Sequence, residues 1–423
     1  MFNTNTMKLK YGTDDRPAAG AMLLYGLQWF MICIPVVLTS TFIAPEGETV
    51  CFTQKLFAVM GLTMVVQALW GHRLPLVAGP AAALLMGVIA ASAQGYGSET
   101  IYPSMIIGGA MVAGIVACGA LSKLQRIFTP RIVLSILLLV SFTIAKPIVE
   151  LIFSDAEHQL SAFVFSLVCV MVMAVANNLL RGVWKTTVVI WAMILGSLIY
   201  YCFTGFPSQF ATDTVAPRLS VWPMKFDAGV VLAFVFCYVA LLINQIGSVQ
   251  SLGDMIGAGD MAKRNKRSAG ITGLMNIVAG ALGVIGPVDY SLSPGVVAST
   301  SCASRHTVIP AAVGMILLAF FPKVVAVLLT IPLPVMGTVL LYLMATQVAA
   351  GLGMIQTTKS VATFKDGLIL GIPIMFNIVL SFAPQQAVDA IPALIRPIVG
   401  NGFVMGIIII LLLEHLLLKR ESR

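Results

Sequence analysis

Apolar runs long enough to cross a bilayer, broken only by short polar loops, extend from residue 18 almost to the end, and this limits the chain more than any motif. A helix needs about 20 apolar residues to cross the hydrocarbon, and all its backbone groups must be paired internally or by protein neighbours. Spans are therefore expected at 18–43, 54–70, 74–92, 102–122, 128–149, 159–180, 183–204, 226–250, 269–286, 294–303, 307–330, 335–351, 366–382 and 400–418. That is about 14 segments of an all-α polytopic membrane protein. Composition agrees: 59% of the 423 residues are hydrophobic, 10% are charged and the mean hydropathy is +0.97. A soluble surface needs about a quarter charged residues, so a soluble enzyme is excluded and lipid replaces water around one membrane domain.

The net charge of +8 lies in short loops rather than in a basic stripe, so no nucleic-acid partner is expected. Seven cysteines, among them Cys33, Cys118, Cys169, Cys237 and Cys302, are scattered through apolar segments without metal-ligand spacing. They read as small hydrophobes, and neither a metal nor a cofactor is expected. The first 17 residues are polar and the run from Ala18 to Ile43 exceeds a signal h-region of about 7–15 residues, so it is expected to remain as a span.

Loop charges supply the orientation. Lys8, Lys10, Arg16, Arg73, Lys123, Arg126, Arg181, Lys185, the cluster Lys263-Arg264-Asn265-Lys266-Arg267, Arg305, Lys359, Lys365, Lys419 and Arg420 fall on one side. Glu46, Glu48, Glu99, Glu150, Asp155, Glu157 and Asp213 fall on the other. Basic loops stay cytoplasmic, so both termini are expected in the cytoplasm, with the protein in a cell inner (plasma) membrane.

Two segments depart from long uniform helices. Leu74-Pro75-Leu76-Val77-Ala78-Gly79-Pro80 and Gly286-Pro287-Val288-Asp289-Tyr290-Ser291-Leu292-Ser293-Pro294 each read as an extended piece leading into a half-helix, since proline disfavours helix before it and starts one after it. Pro80 and Pro294 lie about half the chain apart, and Pro130 has a counterpart in Pro334 at nearly the same offset. Discontinuous segments at matching positions point to an inverted-repeat secondary transporter, here 7+7, whose half-helix N-termini face a polar or anionic ligand.

On these residues the chain resembles the nucleobase–ascorbate transporters, which include bacterial uracil and xanthine permeases. The resemblance rests on Tyr11-Gly12-Thr13-Asp14-Asp15-Arg16-Pro17, on Leu23-Leu24-Tyr25-Gly26-Leu27-Gln28-Trp29, and on Ala303-Ser304-Arg305-His306, the last similar to purine permeases. The family signature falls on Leu292-Ser293-Pro294-Gly295 through Thr300, with Gly295 and Thr300 matching. A second family site falls on Asn244-Gln245-Ile246-Gly247-Ser248; Gly247 is retained, Asn244 stands where the family has glutamate, and the family's stacking aromatic corresponds to about Ala82.

The resemblance implies a core domain of residues 18–122 (spans 1–4) and 225–330 (spans 8–11) and a gate domain of 123–224 (spans 5–7) and 331–418 (spans 12–14), with 1–17 and 419–423 as cytoplasmic ends. It also implies alternating access, coupling to protons or sodium ion, and a homodimer formed through the gate. Asn244 and Ser248 share one helical face and are the strongest candidates to read a solute; Gln245, Ser291, Leu292, Ser293, Gly295, Gln28, Trp29 and Ala82 are the others. Pro80, Gly247, Pro294 and Thr300 are expected to shape the backbone, and Asp289, an intramembrane carboxylate, is the candidate for ion coupling. Glu414 and His415 are expected to pair at the cytoplasmic end of the last span.

The expected function is a permease for a nucleobase-type solute, a purine such as xanthine or urate, or uracil. The alternative is an anion transporter for sulfate, bicarbonate or dicarboxylate on the same fold. A membrane enzyme would need clustered His, Asp or Glu, whereas His72, His158, His306 and His415 are far apart.

Overall fold

The computed structural model describes residues 9–45, 47–121, 129–181, 184, 187–205, 223–290, 293–358, 360–392 and 395–418. In chain order the helices are α1 (Ala19–Leu38), α2 (Thr49–Leu69), α3 (Ala82–Ala93), α4 (Ser98–Ala117), α5 (Pro130–Thr143), α6 (Ala145–Ile152), α7 (Gln159–Leu179), α8 (Val188–Thr204) and α9 (Ala228–Ile256). They continue with α10 (Met261–Leu282), α11 (Ser293–Thr300), α12 (Val308–Leu318), α13 (Pro322–Leu328), α14 (Leu333–Thr358), α15 (Phe364–Ser381), α16 (Gln385–Asp389), α17 (Arg396–Val399) and α18 (Gly402–Leu412), the last running into a π-helical turn, Leu413–Leu417. Strand β1 (Ala78–Pro80) precedes α3, and β2 (Pro287–Asp289) precedes α11.

Each of the fourteen expected segments holds a helix, but among the described residues eight are long and apolar enough to span by themselves, or nine if a bent pair counts as one. Helix length thus supports a multispan membrane protein without establishing fourteen full crossings.

Proline marks two of the expected spans differently. The fifth runs on as one apolar span, Pro130–Ile152, with only a one-residue turn at Ile144 between α5 and α6, where Pro147 has no N–H to give the Thr143 carbonyl. The Ser141 and Thr143 hydroxyls there turn back onto the Leu137 and Leu139 carbonyls. The eleventh segment bends by 101° between α12 and α13, where Pro322 leaves the Leu318 carbonyl without its helical donor.

The basic cluster Lys263–Arg267 corrects the reading in another way. It is helical, inside the first two turns of α10, rather than in a loop. Long basic side chains are good helix formers and carry their charge outward on apolar stems.

Packing divides the helices into two groups. In the first, α4 lies against α10 and α9, α2 against α12 and α10, and α1 against α12. In the second, α14 lies against α5, α6, α7 and α8, while α15 and α18 pack together on α5. Glycines let backbones approach where they must: a Cβ on Gly108 would enter the Tyr238 ring, and one on Gly273 would strike the α4 backbone. Tyr238, fully buried, donates its hydroxyl to the Met105 carbonyl at 2.9 Å and so seals α9 to α4.

Candidate functional site

Strands β1 and β2 cross antiparallel within the first helix group, pairing Ala78 with Asp289, Gly79 with Val288 and Pro80 with Pro287. The ladder extends at both ends, Ala81 N–H donating to the Gly286 carbonyl at 2.9 Å and Tyr290 N–H to Val77 at 2.8 Å. A two-stranded ladder of three residues is too small to hold itself; neighbouring side chains fix it. Asn276 of α10 donates to the Pro287 carbonyl at 2.9 Å, the Tyr290 hydroxyl donates to the Pro80 carbonyl at 2.7 Å, and the Ser293 hydroxyl accepts from Val77 N–H at 3.0 Å and donates to the Tyr290 carbonyl at 3.2 Å. Gly79 is required here, because a Cβ would overlap both Val36 and the Tyr290 ring.

Each strand leads toward a helix, α3 after Ala81, whose N-terminal end has no side-chain cap, and α11 from Ser293. The first turn of a helix has unpaired N–H groups and the positive end of the dipole. Helix α9 packs against α3, β2 and α11.

Two faces of α9 do different work. Gln245, fully buried, accepts from Asp289 N–H at 2.8 Å through its carbonyl and donates its amide to the Asp289 carboxylate and to the Ser268 hydroxyl. The same carboxylate oxygen lies 3.5 Å from the Ser268 hydroxyl and 3.2 Å from His72 Nε2, the latter a close contact off the line of a hydrogen bond. His72 Nδ1 accepts from Leu74 N–H at 2.9 Å, which leaves Nε2 as the protonated nitrogen facing Asp289. Arg264 grips the His72 and Arg73 carbonyls from α10 at 2.6 and 3.1 Å.

The other face is uncommitted. Asn244 is half-buried and a Cβ on Gly247 would meet nothing within 4 Å, while Ser248 is 1% exposed; neither the Asn244 amide nor the Ser248 hydroxyl has a hydrogen-bond partner among the described residues. A buried hydroxyl left unpaired costs about 1–3 kcal/mol. An unpaired polar face in the middle of an apolar helix makes this the candidate position for a ligand.

The sequence candidates therefore separate. Asn244 and Gly247 are half-buried and Ser248 is buried on this face of α9, and half-buried Ala82 is the first residue of α3, which packs against α9. Gln245 and Ser293 serve the scaffold; Ser293 opens α11 rather than continuing an extended piece, because Pro294 starts the helix there. Trp29, 2% exposed, donates its indole N–H to the Thr307 hydroxyl at 3.2 Å and belongs to the α1–α12 interface instead of forming an open wall. Gln28 is buried one residue before it. Pro80 ends β1, Thr300 turns its hydroxyl back to the Val296 carbonyl, and Gly295 lies in the first turn of α11. Ser291 and Leu292 lie outside the described residues.

His72 escaped the sequence reading as a partner of Asp289. Its only signal was a histidine beside the Leu74–Pro80 break. Elsewhere, Glu414 pairs with Arg131 at 3.3 Å, and Arg131 also holds Asp366 at 2.5 Å.

Opposed half-helices beneath crossing strands, set in a body of apolar helices, define the class: an integral membrane permease. The chain belongs to the permease family whose Xan_ur_permease model, described as "Permease family", matches residues 20–386. It is similar to the protein named "Putative purine permease CPE0397" of Clostridium perfringens, 25% identical over 97% of this chain and 93% of that one. It is also similar to the nucleobase transporter PlUacP of Paenibacillus larvae, 22% identical over 82% of this chain and 81% of that one. Among solved structures it shares its fold with the transmembrane domain of a cyanobacterial bicarbonate transporter, BicA, at a TM-score of 0.63 and 12% identity, covering 85% of this chain and 95% of that one. The family consists of permeases, not enzymes.

Proposed function

We propose that the chain carries a nucleobase-type solute, a purine such as xanthine or urate, or uracil, across a plasma membrane with both termini cytoplasmic. In this reading the first helix group is the core that carries the site and the second is the gate. Rocking of one against the other exposes the site to each side in turn. The observation that carries the reading is the unpaired Asn244–Ser248 face on α9, set against two half-helix N-termini in a chain of the permease family. Asn244 offers both an amide donor and a carbonyl acceptor, which suits the alternating edge of a nucleobase, and Ala82 leaves room for a flat ring. The relatives' names support this cargo class.

Coupling to protons or sodium ion would fall to Asp289, the buried carboxylate at the strand crossing. Uptake of labelled xanthine, urate, uracil, sulfate and a dicarboxylate into proteoliposomes, with and without an inward proton gradient, tests the proposal. Accumulation of a nucleobase is expected, and transport of inorganic or dicarboxylate anions alone would overturn it. Asp289→Asn that keeps the full gradient response of the parent clears Asp289 of coupling.

A further inference from the structure

Two segments remote in sequence, 11–17 before α1 and 303–306 after α11, meet in the fold. Tyr11 and Cys302 form a parallel bridge, and main-chain bonds extend it on both sides. Lys10 N–H donates to the Ser301 carbonyl at 2.7 Å, Ala303 N–H to Tyr11 at 2.9 Å and Arg305 N–H to Thr13 at 3.1 Å. The buried Ser304 hydroxyl donates to the Asp15 carbonyl. Arg305 fastens the contact to a third segment: its side chain, 15% exposed, pairs through Nε with Asp14 at 2.8 Å and donates through Nη1 to the Ala68 carbonyl, in the last turn of α2, at 2.9 Å. The Tyr11 ring meets Tyr25 of α1 edge-on, with centroids 6.3 Å apart.

What this contact holds is the C-terminal end of α11. A helix of eight residues is too short to persist by itself, so its position is set by whatever holds its two ends. At the N-terminal end the Ser293 hydroxyl is bonded to Val77 and Tyr290. At the other end Ser301 leaves the helix at φ 54°, an uncommon conformation for a residue with a side chain, and its carbonyl, one residue past the helix, takes its N–H from Lys10. The Asp14–Arg305 ion pair is exposed on the Asp14 side and contributes little alone; the main-chain bonds carry the hold. Helix α9, which carries Asn244 and Ser248, packs against α11, so a shift of α11 reaches the candidate site.

We infer that residues 10–15 are a strap that positions half-helix α11 from its C-terminal end, with Arg305 as the positioning residue that ties strap, half-helix and α2 together. The inference stands on the permease class and needs no choice of cargo.

Lys10→Pro removes the N–H that Ser301 accepts; Lys10→Ala removes the same side chain and keeps the N–H, so the pair isolates one strap bond. Hydrogen–deuterium exchange, read by mass spectrometry on the purified full chain, follows α11 without any solute. Exchange over 293–300 is expected to quicken at least about fivefold in Lys10→Pro and in Arg305→Gln, less in Arg305→Lys, and to keep the parent rate in Lys10→Ala, with α4 and α10 unchanged in all four. Faster exchange confined to 10–15 and 301–305 overturns the inference, since the strap then covers the connection without positioning the half-helix. Uptake of labelled xanthine and uracil into proteoliposomes supplies a readout that a packing role would not move. KM is expected to rise at least about fivefold in Lys10→Pro and Arg305→Gln, with the maximal rate within about twofold of the parent. An unchanged KM beside faster exchange in α11, or a fall in maximal rate alone, also overturns it. A parent protein that takes up neither base refutes the nucleobase reading, and exchange over 293–300 then decides the strap by itself.

Discussion

Gln245 and Asn244 are neighbours with opposite duties, and substitution separates them. Gln245 shields a carboxylate that is 1% exposed; removing one partner of a buried charge costs about 3–5 kcal/mol. Gln245→Leu is therefore expected to lower the melting temperature sharply and to lose solute binding as a consequence of unfolding. Asn244 has no hydrogen-bond partner among the described residues, so Asn244→Ala is expected to leave stability within about 0.5 kcal/mol while weakening solute binding at least about tenfold. Thermal unfolding and binding measured on both variants check the pair; an Asn244→Ala protein that binds normally removes this residue from the site. The periodicity of α9 made the difference visible in advance to a degree, since Asn244 and Ser248 share a face that Gln245 leaves. Which face was spoken for was not legible, because the partner, Asp289, is 44 residues away and His72 is on a third segment.

At the scale of elements, proline did most of the visible writing. Pro80 and Pro294 marked the two half-helices correctly because a missing N–H and a fixed φ act locally, whatever the rest of the fold does. The same local rule acts at Pro322, yet that bend was read as a continuous span, since proline inside a membrane helix is often absorbed by its neighbours, as it is at Pro147 within the span Pro130–Ile152. The crossing of β1 over β2 was beyond reach: three-residue strands have no periodicity, and their pairing joins segments about half the chain apart. Gly79 is the element's most sensitive point. Gly79→Ala forces a methyl against Val36 and Tyr290, a clash expected to cost about 1–3 kcal/mol as the strand pair shifts. The neighbouring surface glycine Gly95, at φ 83° with open space around it, serves as control: Gly95→Ala is strained in its backbone yet remote from β1. A lower melting temperature with lost solute binding for the first, against lowered stability with binding retained for the second, is the expected contrast, measured by unfolding and equilibrium binding.

The whole molecule has a seam, and transport by rocking requires that the seam open. On the side assigned as external, a cavity of about 330 Å³ lies between the groups, lined by Thr41, Phe42 and Ala44 from the α1–α2 connection and by Pro147, Ser154 and Met336 from the second group. Rigid-body motion between the groups must change the width of this cavity; motion confined to one group need not. Ala44→Cys with Ser154→Cys, bridged by a bifunctional thiosulfonate reagent, ties the two walls together. The exposed native thiols Cys118 and Cys202 are first replaced by serine so that the reagent finds the intended pair. Uptake by the bridged protein is expected to fall to background and to return on reduction, while each single-cysteine variant treated alike keeps transporting. Because the cavity lies at the seam and apart from the Asn244–Ser248 face, equilibrium solute binding from the opposite side is expected to survive the bridge. Undiminished uptake in a fully bridged sample would mean that the groups need not separate here, and would leave local movement of the half-helices as the route across the membrane.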